Sequence, residues 1–334
     1  MRYQKTIQKA FALLILVSLV SPAIVSAAYT VDKIGLDPAR TDFVIGPGKT
    51  ELTLKPGESG TVEVLVSNRT GIDRNFELSV EDFTGSRNEN ETVKLLGTDK
   101  GPYSLKDFIS FPEKKFYLKN GTRARVPVTI TIPKDATPGG RYGSVVTSTV
   151  SDVQKPKEAG GAQGGVPLIT RAATLFFVTI PGNIKMDANF KDFRTFESRW
   201  FYNAGPMIPV QMVLENNSSV HISPSAKIEV KNMMGSLVRE ITVEPWFTMP
   251  DSLRMRQVEI QYPFFIGKYT VTATVDLGFG GKTDTKSVSF WVIPWAMIFY
   301  IFLGVVAVLW IYRAGKKWFA KTFELKRKDP PSVV

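Results

Sequence analysis

Few side chains in this 334-residue chain could do chemistry. It has no cysteine and a single histidine, His221. Thiol nucleophiles, cysteine zinc sites and lipidation of an N-terminal cysteine are thereby excluded. One imidazole cannot build a histidine-rich metal site, and any Ser-His-Asp triad would have to rest on His221. That residue stands in Val220-His221-Ile222, where it fits as one polar residue of a strand-like run. No phosphate-cradling Gly-rich loop, G-x-S-x-G turn, H-E-x-x-H pair or calcium loop is present. Glu81-Asp82 is the only adjacent acidic pair between the apolar segments at the two chain ends. Glycoside hydrolysis needs two carboxylates across a cleft, and a pair distant in sequence stays open. The expectation is a protein that is not an enzyme and carries no cofactor and no metal site.

The remaining chemistry is that of surfaces. Val153 to Gly165, VQKPKEAGGAQGG, has no periodicity and predicts a loop of about a dozen residues. Its Lys155, Lys157 and Glu158 are candidate ligand contacts, because binding residues collect on loops held by rigid scaffolds. A solvated hairpin tip without function is the alternative. Near the C-terminus, Trp291, Trp295, Trp310, Tyr312 and Trp318 stand with Arg313, Lys316 and Lys317. Aromatic rings with one polar atom prefer the headgroup level of a bilayer, and the basic residues follow on one side only, so these eight are candidate membrane-interface anchors. Sequons occur at Asn68, Asn90, Asn120, Asn216 and Asn217. They mark glycan sites only where the cell has the machinery.

These residues flank Ile293 to Tyr312, twenty residues without a charge. Such a length of helix spans roughly the 30 Å hydrocarbon core. Pro294 fits its start, where an N–H has no intrahelical partner. The flank from Arg313 onward holds seven basic residues against two acidic ones, which places the C-terminus in the cytoplasm. Trp318, Phe319 and Phe323 recur near helical spacing among the lysines, so the helix is expected to continue past Arg313; a disordered basic tail is the alternative. At the other end, Arg2, Lys5 and Lys9 precede the apolar run Ala10 to Val20, and small residues follow to Ala28. That pattern is a secretory signal peptide, with an uncleaved anchor as the alternative. Signal and tail together hold most of the formal charge of +11. The basic pI therefore reflects targeting, not nucleic-acid binding.

The exported part has a period of two. Val62, Val64 and Val66, then Phe76, Leu78 and Val80, then Ala124 to Ile132 alternate with polar residues. Turn signals at Pro56-Gly57, Thr70-Gly71, Asn120-Gly121 and Pro138-Gly139-Gly140 separate the runs. The only short helix expected is Ser104 to Ser110, with Ser104 as its cap. A second unit opens near Pro181-Gly182, with strands expected at Arg199 to Tyr202, Pro209 to Glu215, Ser225 to Lys231, Ser236 to Val243, Tyr269 to Leu277 and Thr285 to Val292. Turn chemistry echoes between Val66-Ser67-Asn68-Arg69-Thr70-Gly71 and Phe201-Tyr202-Asn203-Ala204-Gly205. The predicted fold is all-β, with two tandem immunoglobulin-like β-sandwich domains. The expected organisation is signal peptide 1–28, outer domain 29–182, membrane-proximal domain 183–292, transmembrane helix 293–312 and basic tail 313–334. The last strand runs into the span without a linker, so the second domain is expected to stand on the membrane.

Several stretches resemble a known family. Leu52-Thr53-Leu54-Lys55-Pro56-Gly57-Glu58-Ser59, Val64 to Asn68, Phe76 to Phe83 and Pro133 to Gly143 are similar to the DUF916 domain. Leu214-Glu215-Asn216-Asn217-Ser218-Ser219-Val220-His221-Ile222-Ser223-Pro224 resembles the L-x-N-x-S-x-V-H-I-x-P stretch of the DUF3324 domain. Phe290 to Trp295 leads into the span as it does there. With a signal peptide and a C-terminal helix, this is the layout of the WxL-interacting proteins of Gram-positive bacteria. The resemblance implies a membrane-anchored, non-catalytic cell-surface scaffold or adhesion protein. Its implied partners are cell-wall peptidoglycan or surface polymers and surface proteins of WxL type, beside the membrane lipids. A receptor or sensor subunit signalling through its single helix is the alternative. The tail is too short for a catalytic domain, so such a receptor would need a partner in the membrane.

Overall fold

The computed structural model describes residues 29–35, 42–150 and 169–322. The expected signal peptide, the loop bearing Lys155, Lys157 and Glu158, and the end of the tail from Phe323 lie outside the described residues. The chain divides into two compact units, Met1–Phe83 with Leu95–Pro181, and Thr84–Lys94 with Gly182–Val334. The alternation pattern alone groups Thr84–Lys94 with the first unit; the stretch from Ser86 to Glu89 is bonded to the second. Leu253 N donates to Ser86 O at 2.9 Å and Met255 N to Glu89 O at 3.0 Å. The Arg87–Glu215 ion pair closes at 2.5 Å, and Arg194 pairs with Glu89.

The first unit is a two-sheet sandwich. Its strands are β1 (Thr30–Lys33), β2 (Asp42–Gly46), β3 (Lys49–Thr53), β4 (Ser59–Arg69), β5 (Arg74–Thr84), β6 (Lys94–Leu95), β7 (Ile109–Ser110), β8 (Lys115–Leu118), β9 (Thr122–Thr131), β10 (Gly139–Val150) and β11 (Arg171–Ile180). One sheet runs β1-β9-β4-β2 with β7 on β9; the other runs β3-β11-β10-β5-β6 with β8 on β5. Between them, Val64, Val66, Ala124, Val126, Val128 and Ile130 meet Phe76, Val145, Phe176 and Val178, all fully buried. Inward residues two apart bury one face of each strand, as the alternation requires. One stretch of chain changes sheet on the way. β2 lies antiparallel on β4; past Gly46-Pro47-Gly48 the chain continues as β3, parallel to β11.

On the second sheet the alternation fails, because both faces are covered. The segment from Leu96 to Phe108 passes beside β10, bonded through Tyr142 N to Tyr103 O at 2.7 Å, and brings Leu105 into the core between the sheets. On the face away from that core Phe83, Tyr142 and Phe177 are buried together, with ring centroids 5.4–5.9 Å apart. Gly140 lies in the same strand as Tyr142, two residues away on the same face. A Cβ there would come within 2.1 Å of the tyrosine hydroxyl. The expected short helix shrinks to one 3-10 turn, Lys106–Phe108, and Ser104 does not cap it. Asp82 takes that role from β5. Its Oδ1 accepts Leu105 N at 3.1 Å and Lys106 N at 2.9 Å, and its Oδ2 accepts Gly101 N at 3.1 Å.

The second unit repeats the plan. Its strands are β12 (Ala188–Thr195), β13 (Phe201–Tyr202), β14 (Gly205–Asn216), β15 (Ser225–Lys231), β16 (Leu237–Val243), β17 (Ser252–Phe264), β18 (Gly267–Asp276) and β19 (Thr283–Val292). A three-stranded sheet, β12-β14-β17, faces a five-stranded one, β13-β19-β18-β15-β16. Phe190, Val210, Met212 and Leu214 pack on Ile228, Val271, Ala273 and Phe290. Here too the first strand changes sheet: β12 is antiparallel to β14, and β13 is parallel to the last strand, β19. β12 and β17 were not among the expected strands. β17 carries Arg254 and Arg256 on the same side as Val258, Ile260 and Phe264, so the first half of its inner face looks polar in sequence. The chain then enters helix α1 (Trp295–Thr322).

Candidate membrane anchor and binding edge

Helix α1 starts two residues after the expected span and runs on past Tyr312 to Thr322. Pro294 precedes it, with its carbonyl accepting Ile298 N at 3.1 Å. Its 28 residues amount to about 42 Å of helix, more than the roughly 30 Å hydrocarbon core needs. Its most apolar stretch has a mean hydropathy of 2.2, and no residue of that stretch is buried. The helix is long and apolar enough to cross a membrane.

The expected interface anchors fall at its two ends. Trp291 is the outward residue next to the end of β19, and Trp295 is the first residue of the helix; both are exposed. Trp310, Tyr312, Arg313, Lys316, Lys317 and Trp318 lie on the helix toward its other end, also exposed. Arg313, Lys316 and Lys317 are not in a loose tail. They continue the helix, three and four residues apart on one side.

The root of the helix is tied to the sandwich. Trp291 N donates to Trp200 O and Ile293 N to Tyr202 O, both at 2.9 Å. β13 therefore pairs with the chain up to the last residue before Pro294, and no free linker separates domain from helix.

Residues singled out for chemistry turn out to be structural. Glu81 and Asp82, adjacent on a strand, point to opposite faces. Asp82 is fully buried and spends its oxygens on three backbone N–H groups, while Glu81 pairs with Arg171. They cannot converge on one substrate. His221 lies half-buried in the turn after β14. Among the described residues no group of three or more His, Asp or Glu could hold a metal ion.

Two sequon asparagines have the same structural task. Asn68 ends β4 and is fully buried. Its Nδ2 donates to Ile72 O at 2.9 Å and Leu118 O at 3.0 Å, and its Oδ1 accepts Thr70 N at 3.1 Å. Asn216 ends β14, equally buried. Its Nδ2 donates to Val220 O at 2.9 Å and Thr248 O at 3.0 Å, and its Oδ1 accepts Ser218 N at 2.9 Å. Each amide thus clasps the turn that follows it to a distant strand or loop. Both hydrogens of each amide are used inside the protein, which excludes a glycan there in the folded chain. The internal echo is therefore Asn68-Arg69-Thr70-Gly71-Ile72 with Asn216-Asn217-Ser218-Ser219-Val220. The stretch around Phe201 is not its partner. Of the other sequons, Asn90 is exposed, and Asn120 and Asn217 are half-buried.

One sheet edge stays open. β17 pairs with β14 on one side. On the other, Leu253 N and Met255 N are taken by Ser86 and Glu89. By the two-residue alternation of a strand, the outer groups of Gln257 and Glu259 follow, and no described backbone group pairs with them. β16 is the free edge of the facing sheet. Between them lies an open groove of about 450 Å³, lined by Ile241, Val243, Arg256 and Val258 among others. At its end Arg254 stacks over Phe247 at 5.5 Å, and its Nε is buried without an acceptor. Burial, then the neighbouring Arg256, lowers the basicity of this guanidinium. Nothing in the strand pattern announced this edge, since β17 itself was not expected.

The fold and the helix define an all-β protein of two immunoglobulin-like sandwiches with one candidate membrane span. No protein-family model matches the chain, and no curated protein matches it either. Several solved structures resemble it. The class 5 fimbriae chaperone CfaA is 12% identical over 76% of this chain and 100% of its own, with a TM-score of 0.36. The CsuC–CsuE chaperone-tip adhesion subunit complex of Acinetobacter baumannii is 10% identical over 75% and 99%, at 0.35. The E. coli chaperone DraB is 15% identical over 74% and 97%, at 0.34. Likeness at this level bears on neither activity nor partner.

Proposed function

We propose that the chain is a membrane-anchored, non-catalytic cell-surface protein that holds a partner by surface contacts. The observation that carries this reading is the bare apolar helix α1 joined without a linker to a β-sandwich. A domain fixed in this way is held at the bilayer surface. The basic residues follow the span on its C-terminal side, which supports a cytoplasmic C-terminus and sandwiches outside. The resemblance to the WxL-interacting proteins supports cell-wall polymers and WxL-type surface proteins as partners. Protein partners of extended shape have a place to add at the open edge of β17, where main-chain groups supply affinity and the flanking groove supplies selectivity.

The absence of cysteine makes the topology directly testable. Single cysteines replace exposed residues, Ile72→Cys on the first sandwich and Ala320→Cys on the helix end. In intact cells with a permeable wall, a membrane-impermeant maleimide should label position 72 and spare position 320 until the membrane is opened. Labelling of 320 with protection of 72 would invert the reading. Capture of envelope material by the full-length protein then tests the binding role. Turnover of purified cell wall by that protein would refute the non-catalytic assignment.

A further inference from the structure

The end of the second unit from which α1 emerges is unusually apolar. Around the root of the helix stand Trp200, Phe201, Met233, Met234, Phe265 and Ile266, which are 40–85% exposed. They come from three separate connections: the β12–β13 crossing, the β15–β16 turn and the β17–β18 turn. Strand register places the three at one end. Gly267 is opposite Val292, and Lys231 is opposite Thr270 in the same sheet. A Cβ on Gly267 would lie 3.5 Å from the sulfur of Met233, so two of the turns touch. The same end carries Trp291 and Trp295.

The apolar tips are presented by specific local structure. In the β15–β16 turn, Asn232 Oδ1 accepts Met234 N and Ser236 N, both at 3.0 Å, and Gly235 takes a left-handed φ of 79°. That closes the backbone and pushes both methionines outward. Phe265 N is held by the Tyr269 hydroxyl at 3.3 Å. The Trp200 and Phe201 rings lock edge to face, 4.9 Å between centroids. The far end of the same domain is different. Its β18–β19 turn, Leu277 to Lys282, is rich in glycine, and among the large apolar residues only Met186 is exposed at that end.

We propose that this end is a lipid-docking surface, with the three turns inserted into the interfacial layer of the bilayer around the helix root. The inference rests on α1 spanning the membrane. Given that span, the geometry leaves little choice. Trp291 and Trp295 mark the headgroup level, and β13 is hydrogen-bonded to the chain beside them. Turns at the same height as these residues meet the same layer. Tryptophan and phenylalanine suit that layer, and methionine adapts to its disorder. Three contact points around one helix fix the tilt of the sandwich, which a helix alone would leave free. An aqueous partner protein would have to reach this face past the bilayer.

The test uses the full-length protein in phosphatidylcholine vesicles at low protein density. Single cysteines at Met234, Ile266, Val306 and Lys282 carry an environment-sensitive fluorophore. Val306 lies in the middle of α1, and Lys282 lies at the far end of the β18–β19 hairpin. Quenching is read from lipid carrying a nitroxide just below the headgroup and from aqueous iodide. The labels at 234 and 266 should be quenched severalfold more by the lipid nitroxide than the label at 282. They should be correspondingly shielded from iodide. If 234 and 266 behave like 282 while 306 responds to lipid, the helix spans and the docking inference is wrong. If 306 is also reached by iodide, the membrane reading itself falls. If 234 and 266 are shielded from iodide without lipid quenching, protein covers the face and the lipid assignment is overturned. A variant with serine at 233, 234, 265 and 266 should leave 306 unchanged and raise the rotational freedom of the label at 282. Unchanged freedom there would also overturn the docking role.

Discussion

Replacing Asn216 by alanine should destabilise the second sandwich by about 3 kcal/mol. The side chain makes three hydrogen bonds: two donated to the carbonyls of Val220 and Thr248, and one accepted from Ser218 N. Asn216 and Thr248 are fully buried, and Val220 and Ser218 nearly so. An unsatisfied buried polar group costs roughly 1–3 kcal/mol, so three would cost more than the sum stated. A water entering the vacated space can recover part, since the void is polar. The remainder corresponds to a fall in melting temperature of order 10 °C or more for a domain of this size. Urea unfolding of the full-length protein in nanodiscs measures it, and hydrogen exchange at Ile222 and Thr248 assigns it. These two residues exchange backbone hydrogen bonds at 3.0 and 2.8 Å. Asn90→Ala, on an exposed sequon, should stay within about 0.5 kcal/mol of the parent.

The isosteric Asn216→Asp isolates the donor's contribution. Aspartate keeps the acceptor for Ser218 N and loses both donors. Burial against two carbonyls raises its folded pKa above the unfolded value near 3.9. A group raised in this way contributes most below the unfolded pKa and loses that contribution as pH climbs through the folded value. The variant should therefore lie closer to the parent at pH 4 than at pH 7. A loss under 1 kcal/mol in the alanine variant, or no pH dependence in the aspartate one, would refute the clasp as the link between β14 and the loop at Thr248.

Further outcomes are expected elsewhere. Gly140→Ala should cost the first sandwich about 1–3 kcal/mol by overpacking, because its Cβ meets the Tyr142 ring, which Phe83 and Phe177 hold in place; an unchanged unfolding midpoint would show that the ring yields. The Tyr117 hydroxyl, first, and Asn120 N–H hold the Asp73 carboxyl below its ordinary range. Such a carboxylate adds stability above its unfolded pKa and loses it as pH falls through the folded value. Tyr117→Phe should therefore move the Asp73 midpoint up in carboxyl NMR and shrink the acid-dependent loss, and an unmoved midpoint would refute the coupling. Glu259→Pro removes an N–H that points away from β14, a change an edge strand tolerates. It should abolish capture of a strand-adding partner while leaving melting unchanged, and undiminished capture would place binding elsewhere.

How much of this was legible in the sequence depends on whether one neighbour or two decide a residue's surroundings. Val64, Val66 and Ala124 to Ile132 alternate because a single opposing sheet buries one side, and a period of two is enough to find them. β5 breaks its own pattern at Glu81-Asp82-Phe83, since Asp82 takes an inward position to hold the segment that returns with Leu105 to the core, while Phe83 is buried on the other face. Only the long-range bonds of Asp82 reveal that. β17 was hidden for the opposite reason. It is an edge strand over an open groove, so Arg254 and Arg256 can point inward without carboxylate partners, and its inner face lacks an apolar period. The long apolar helix α1 was readable, because twenty uncharged residues in a row leave few other structures open. Met233, Met234, Phe265 and Ile266 were not, since a turn's height above the helix root follows from strand register.

The two asparagine clasps show how a short motif can mislead about its cause. Asn-x-Ser/Thr at 68 and 216 matches a glycan acceptor, yet both amides are consumed indoors. The spacing serves geometry: the residue two places on turns its N–H to Oδ1, and the residue four places on offers its carbonyl to Nδ2. Only the carbonyls of Ile72 and Val220 are needed for this: the Val220 side chain is buried, while that of Ile72 is exposed. It also accounts for the stretch from Leu214 to Pro224 that carries the family resemblance. Leu214, Asn216, Ser218, Val220 and Ile222 are buried at every second position, and Pro224 O accepts Trp246 N at 3.0 Å. The stretch is a structural signature of how this sandwich closes the end away from helix α1. Its residues are occupied in holding the fold, whereas the open edge of β17 and the exposed turns are not.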